Sequence, residues 1–76
     1  MTAYILIQTE VGMAGQVAKE LSQIDGITSA EGVAGPYDVI ARVTAPTVDQ
    51  LGQLVVAQVQ AIEGITRTLT CSVVRL

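Results

Sequence analysis

Apolar positions along the chain switch between two periods. Residues 4–9 are mostly apolar, aromatic or β-branched and predict a strand. Between residues 13 and 24, Ala14, Val17, Ala18, Leu21 and Ile24 follow the i, i+3, i+4, i+7 spacing of one helix face. Gly26 then suits the left-handed position that closes a helix. Residues 27–34 predict a weaker strand, Gly35-Pro36 a turn, and residues 37–44 a third strand. Pro46 stops that strand. Thr47-Val48-Asp49-Gln50 has the form of a capping box, in which the Thr47 hydroxyl takes the Gln50 amide and the Gln50 side chain reaches back. The second helix runs to Ile62, Gly64 closes it, and residues 65–75 predict a fourth strand.

The two halves repeat. Ile24-Asp25-Gly26-Ile27-Thr28 returns as Ile62-Glu63-Gly64-Ile65-Thr66, an offset of 38 residues in a chain of 76. The helical stripe recurs with it, Ala14, Val17, Ala18, Leu21 and Ile24 aligning with Gly52, Val55, Val56, Val59 and Ile62. A duplicated unit in the order βαββαβ implies an α+β, ferredoxin-like sandwich: a four-stranded antiparallel sheet, first and third strands central, with both helices on one face.

The other face of such a sheet is left without helices. Ala3, Ile5 and Ile7 alternate with Tyr4, Leu6 and Gln8; Val39, Ala41 and Val43 alternate with Ile40, Arg42 and Thr44. In the fourth strand Leu69, Cys71 and Val73 oppose Thr68, Thr70, Ser72 and Val74. One face is aliphatic throughout, and Cys71 is read there as a small buried hydrophobe. The second face mixes Tyr, Leu, Ile and Val with threonines and one arginine, a composition that suits a protein interface. The expectation is a dimer stacked sheet on sheet; the alternative is a monomer with a greasy, threonine-rich face.

Composition sharpens this. A chain of 76 residues permits one domain, 1–76, with few means of stabilising itself. One cysteine forms no internal disulfide, and without histidine there is no zinc site, so no metal or cofactor is expected. Oligomerisation remains as the stabilising device. Only 14% of residues are charged and half are apolar, which adds to the case for a covered surface. The net charge of −3 and four scattered cations argue against direct nucleic-acid binding. No apolar run suits a membrane span and no leader pattern is seen, so the expected compartment is the cytoplasm.

Candidate chemistry is sparse. Cys71 and the serines have no imidazole to activate them, and the carboxylates follow no hydrolase spacing. Gly12 and Gly15 make no phosphate-binding fingerprint. The most site-like segment is Gly35-Pro36-Tyr37-Asp38, where a carboxylate could meet a ligand ammonium and free amides a ligand carboxylate. Taken alone, these residues are better read as an ordinary turn, with Gly-Pro for geometry, Asp38 bonded to local amides and Tyr37 packed on the sheet.

With the Gly35-Pro36-Tyr37-Asp38 turn and the Ile62-Glu63-Gly64-Ile65-Thr66-Arg67-Thr68-Leu69-Thr70 approach to the last strand, in this order, the whole chain resembles the effector-binding (RAM) domain of Lrp/AsnC transcription regulators. The resemblance implies sheet-to-sheet dimers, commonly assembled in fours into octamers. It also implies an amino acid or related effector bound between dimers, near the glycine turn and the last strand. Gly35, Tyr37 and Asp38 become expected ligand-binding residues, with Leu69, Thr70 and Cys71 as neighbours. Full-length regulators carry a helix-turn-helix that has no counterpart here, so the expectation is a stand-alone sensing module that modulates full-length relatives by mixed assembly. Two other readings stand beside it. One is a small ferredoxin-like enzyme of monooxygenase or isomerase type, which the absence of His and Trp disfavours; the other is an ACT-like regulatory domain.

Overall fold

The computed structural model describes all 76 residues. Strand β1 (Thr2–Thr9) leads into helix α1 (Ala14–Leu21), strand β2 (Ile27–Gly32) and strand β3 (Val39–Thr44). Helix α2 (Val48–Leu54) follows, is continued by a π-helical turn (Val55–Val59), and gives way to strand β4 (Ile65–Ser72). The sheet order is β2-β3-β1-β4 with every neighbouring pair antiparallel, the expected ferredoxin-like arrangement with β1 and β3 central.

Element limits move where local pairing decides them. β1 starts at Thr2, because Thr2 faces Thr44 and its carbonyl accepts from the Val73 amide at 2.9 Å. β2 stops at Gly32 and β3 starts at Val39, which leaves Tyr37 in the turn. Helical geometry in α1 ends at Leu21, and the chain reaches Gly26 through three-residue turns, Ile24 N donating to Leu21 O and Ile27 N to Ile24 O. Thr47 caps α2 as expected by accepting from the Gln50 amide at 3.2 Å. The return half of the capping box differs: the Thr47 hydroxyl donates to Gln50 Oε1, so the two side chains meet each other.

The duplication is carried by structure as well as by sequence. Val17 and Leu21 are buried, and so are Val55 and Val59 at the same offset. Ala3, Ile5 and Ile7 likewise match buried Ala41, Val43 and Ala45. Gly26 and Gly64 adopt φ of 98° and 97°, the left-handed conformation that lets the chain reverse into β2 and β4. The closing turns repeat too, with Ile62 N donating to Val59 O and Ile65 N to Ile62 O.

The π turn has a packing reason. Along α2 and the π turn the buried positions are Leu51, Val55 and Val59, spaced by four. An α-helix passes a full turn in 3.6 residues, so such a stripe drifts around it. The wider turn, with Gln60 N donating to Val55 O, rotates less per residue and returns Val59 to the core side.

The core lies between helices and sheet, where Ile5, Ile7, Val39 and Val43 meet Val17, Leu21 and Val59. Each such aliphatic side chain contributes about 1.5–3 kcal/mol when fully buried. The opposite face carries Tyr4 and Leu6 on β1, Ile40 and Arg42 on β3, and Ser29 and Glu31 on β2. Tyr4 is 42% and Leu69 46% exposed there, so this face is apolar yet uncovered.

One sequence expectation is corrected. Cys71 is exposed, not buried. Register decides this: Cys71 lies opposite Tyr4 and Leu69 opposite Leu6, while Thr68 and Thr70 lie opposite the core residues Ile7 and Ile5. Residues directly opposite across a ladder share a face. The apolar stripe of β4 therefore joins the open face, and its threonines take the helix side.

Candidate functional site

The turn between β2 and β3 is tied to the end of β1 rather than held only by its own backbone. Val33 N donates to Asp38 O at 2.9 Å and closes the loop. Asp38 N donates to Ile7 O at 2.8 Å, prolonging the β1–β3 ladder by one bond. The Asp38 carboxylate then accepts from the Thr9 amide at 2.8 Å and more weakly from the Thr9 hydroxyl at 3.4 Å, both through Oδ2. Gln8 Nε2 donates to Pro36 O at 3.0 Å. A charged acceptor on a backbone amide is among the stronger hydrogen bonds a half-buried site can hold.

Gly35 and Pro36 are exposed at the tip; Tyr37 and Asp38 are half-buried beneath them. Gly35 does not have a positive φ, and a Cβ built there meets nothing within 4 Å. The fold itself thus makes no demand for glycine at this position.

The β4 candidates sit elsewhere. Thr9 pairs with Ile65 and Gln8 with Arg67, so the end of β1 stands between the turn and the start of β4. Leu69, Thr70 and Cys71 face Leu6, Ile5 and Tyr4, two to four residues further along. At about 3.4 Å per residue that is roughly 7–14 Å along the strand, with β1 also lying between β4 and the turn. Gly35, Tyr37 and Asp38 form one group; Leu69 and Cys71 form another on the open face, and Thr70 points to the helix side. Within one chain the two groups do not converge.

Three residues outside those expectations belong to this corner. Gln8 and Thr9 hold the turn, and Arg67 lies across from Gln8. The visible signal was the change from apolar to polar side chains at the end of β1. A groove of about 370 Å³ at the start of β4 is lined by Gln60, Ile65, Thr66, Arg67 and Thr68. There a guanidinium and two threonine hydroxyls offer donors suited to a small anionic group.

A larger, shallow groove of about 760 Å³ lies between the C-terminal ends of the two helices and includes Glu20, Asp25, Ile62 and Glu63. It sits over the duplicated Ile24-Asp25-Gly26 and Ile62-Glu63-Gly64 segments. No cluster of three or more His, Cys, Asp or Glu side chains able to hold a metal is present, and no helix is long and apolar enough to cross a membrane.

The chain matches the model of the Lrp/AsnC ligand binding domain over residues 2–75. An uncharacterized HTH-type transcriptional regulator of Pyrococcus abyssi is 31% identical over 72 residues, which cover 91% of this chain and 48% of the relative. The chain therefore spans about half the length of the curated relatives it matches. Among solved structures, a Thermus thermophilus protein superposes with a TM-score of 0.92 at 27% identity, over 99% of this chain and 94% of its own. A Neisseria meningitidis transcriptional regulator, solved as a complex with L-Met, shares the fold with a TM-score of 0.85 at 13% identity, over 97% of this chain and 49% of its own.

Proposed function

Because the chain belongs to the Lrp/AsnC ligand-binding-domain family, whose members here are transcriptional regulators, we propose that it senses a small effector of the amino-acid class and self-associates through its open sheet face. It works by binding, not by catalysis. The observation that carries the sensing is the pinned turn. Asp38, fixed through Oδ2 to Thr9, supports an exposed tip whose Gly35 answers to nothing inside the chain. A glycine at that exposed tip leaves room for a ligand to approach the backbone closely. The complex of the Neisseria relative with L-Met supports the amino-acid class.

Since the turn and the Leu69–Cys71 group are apart in one chain, the effector site is completed between copies. One copy supplies the Gly35, Tyr37 and Asp38 corner, and another supplies Leu69, Thr70 and Cys71 from β4. The same surfaces accept longer relatives that bear a helix-turn-helix, so mixed assembly is the route by which this domain modulates transcription.

A thermal-shift screen of the twenty amino acids tests the sensing, since a ligand bound only by the folded state raises Tm. At least one amino acid is expected to raise it, and Gly35→Ala is expected to keep the wild-type Tm while weakening that rise. A screen in which none of the twenty shifts the wild type removes the sensing reading.

A further inference from the structure

The cations of this molecule are not evenly placed. Arg42 and Arg67 both lie on the open sheet face, opposite Tyr4 and Gln8 respectively. Among the strand residues of that face, Glu31 alone is acidic, opposite Ile40. Arg42 stands near the middle of the apolar patch, with Tyr4 on one side and Ser29 on the other. It is exposed, and its guanidinium makes one long hydrogen bond, 3.4 Å from Nη1 to the Thr28 hydroxyl.

Covering this face changes what Arg42 needs. A guanidinium taken out of water without a carboxylate is strongly unfavourable, whereas a paired one is tolerated and fixes register. We infer that Arg42 is the specificity determinant of the sheet-to-sheet contact, and that it pairs with Glu31 of the partner subunit. This rests on the self-association proposed above and adds which residues select the partner.

The geometry permits the pair twice. Across the sheet, Ser29, Arg42, Tyr4 and Cys71 form one row, and Glu31, Ile40, Leu6 and Leu69 form the next. A two-fold axis running between these rows, in the plane of the interface, lays each over the other row of the second copy. In an isologous contact every pairing occurs in duplicate. Tyr4, Leu6 and Ile40 then meet at the centre. Arg42 falls one strand spacing, about 4.8 Å, to the side of Glu31 of the partner subunit, across sheets about 10 Å apart. Two long side chains reaching toward each other span that gap. Within one chain the two residues are diagonal neighbours, about 7–8 Å apart at the backbone, and the in-chain hydrogen bond of Arg42 goes to Thr28 instead.

Charge exchange in trans tests this. Light scattering of the full chain is expected to give a multiple of 7.9 kDa for wild type. Arg42→Glu alone and Glu31→Arg alone are each expected to dissociate, with the dimer weakened on the order of a hundredfold. Mixed in equal amounts, the two variants present opposite charges at both contacts and are expected to recover the dimer mass. Rescue by mixing separates a contact between copies from one inside a copy. The neutral variants Arg42→Gln and Glu31→Gln provide a double-mutant cycle, with strongly non-additive losses expected. Single charge variants that stay dimeric, a mixture that stays monomeric, or additive losses in the cycle would each overturn the pairing while leaving self-association standing. A wild type at 7.9 kDa at micromolar concentration instead overturns self-association itself.

Discussion

At the scale of single residues, Asp38 combines two roles that sequence alone leaves undivided. The sequence offers a turn carboxylate and two readings of it, ordinary turn or ligand anchor. In the folded chain its Oδ2 is committed to Thr9, so its first effect is on the stability of the corner. Asp38→Ala leaves the Thr9 amide without its acceptor and is expected to cost about 1–3 kcal/mol in chemical denaturation, with Asp38→Asn costing less because it keeps an acceptor oxygen. Equal loss in both variants would show that charge, not the hydrogen bond, matters there. Thr9 and Gln8 were not legible as partners. Local pattern marks them only as the polar end of β1, and the β1–β3 register alone brings positions 29 residues apart together.

At the scale of elements, most of the fold could be read and the reasons for the misses are physical. The helices announced themselves through their stripes, and Gly26 and Gly64 through their place after those stripes. Their substitution separates two kinds of crowding. Both glycines have positive φ, so alanine at either is strained by about 1–3 kcal/mol. At Gly64 the new Cβ would also meet Met13, 2.8 Å from the end of its side chain, which can swing away, and 3.2 Å from its Cβ. At Gly26 it would stand 3.1 Å from the Thr44 carbonyl oxygen, which the sheet holds in place. Gly26→Ala is therefore expected to lower Tm more than Gly64→Ala. β4 is where sequence misled. Its Thr-Leu-Thr-Cys-Ser alternation fits either face, and a one-residue slip of register inverts the assignment. Pairing with β1 decides it, placing Cys71 in the open and leaving threonines on the helix side of an edge strand.

At the scale of the whole molecule, the chain is two βαβ units related by a near-equivalence that extends to buried positions, glycine conformations and closing turns. This equivalence has a consequence for connectivity. The Val73 amide donates to the Thr2 carbonyl at 2.9 Å, so the start of β1 and the end of β4 run side by side just as β2 and β3 do. Joining them with a short linker and opening the backbone between Gly35 and Pro36 yields a circular permutant in which the second unit comes first. Read from its new start, that polypeptide again runs βαββαβ, in the same sheet order with the two units exchanged. It is expected to unfold cooperatively with a Tm close to that of the parent, less what the loosened turn contributes. Loss of cooperative unfolding would show that chain order, and not the equivalence of the units, directs assembly. The two units are in this sense interchangeable, and the tip at Gly35 is the one seam between them that the fold can spare.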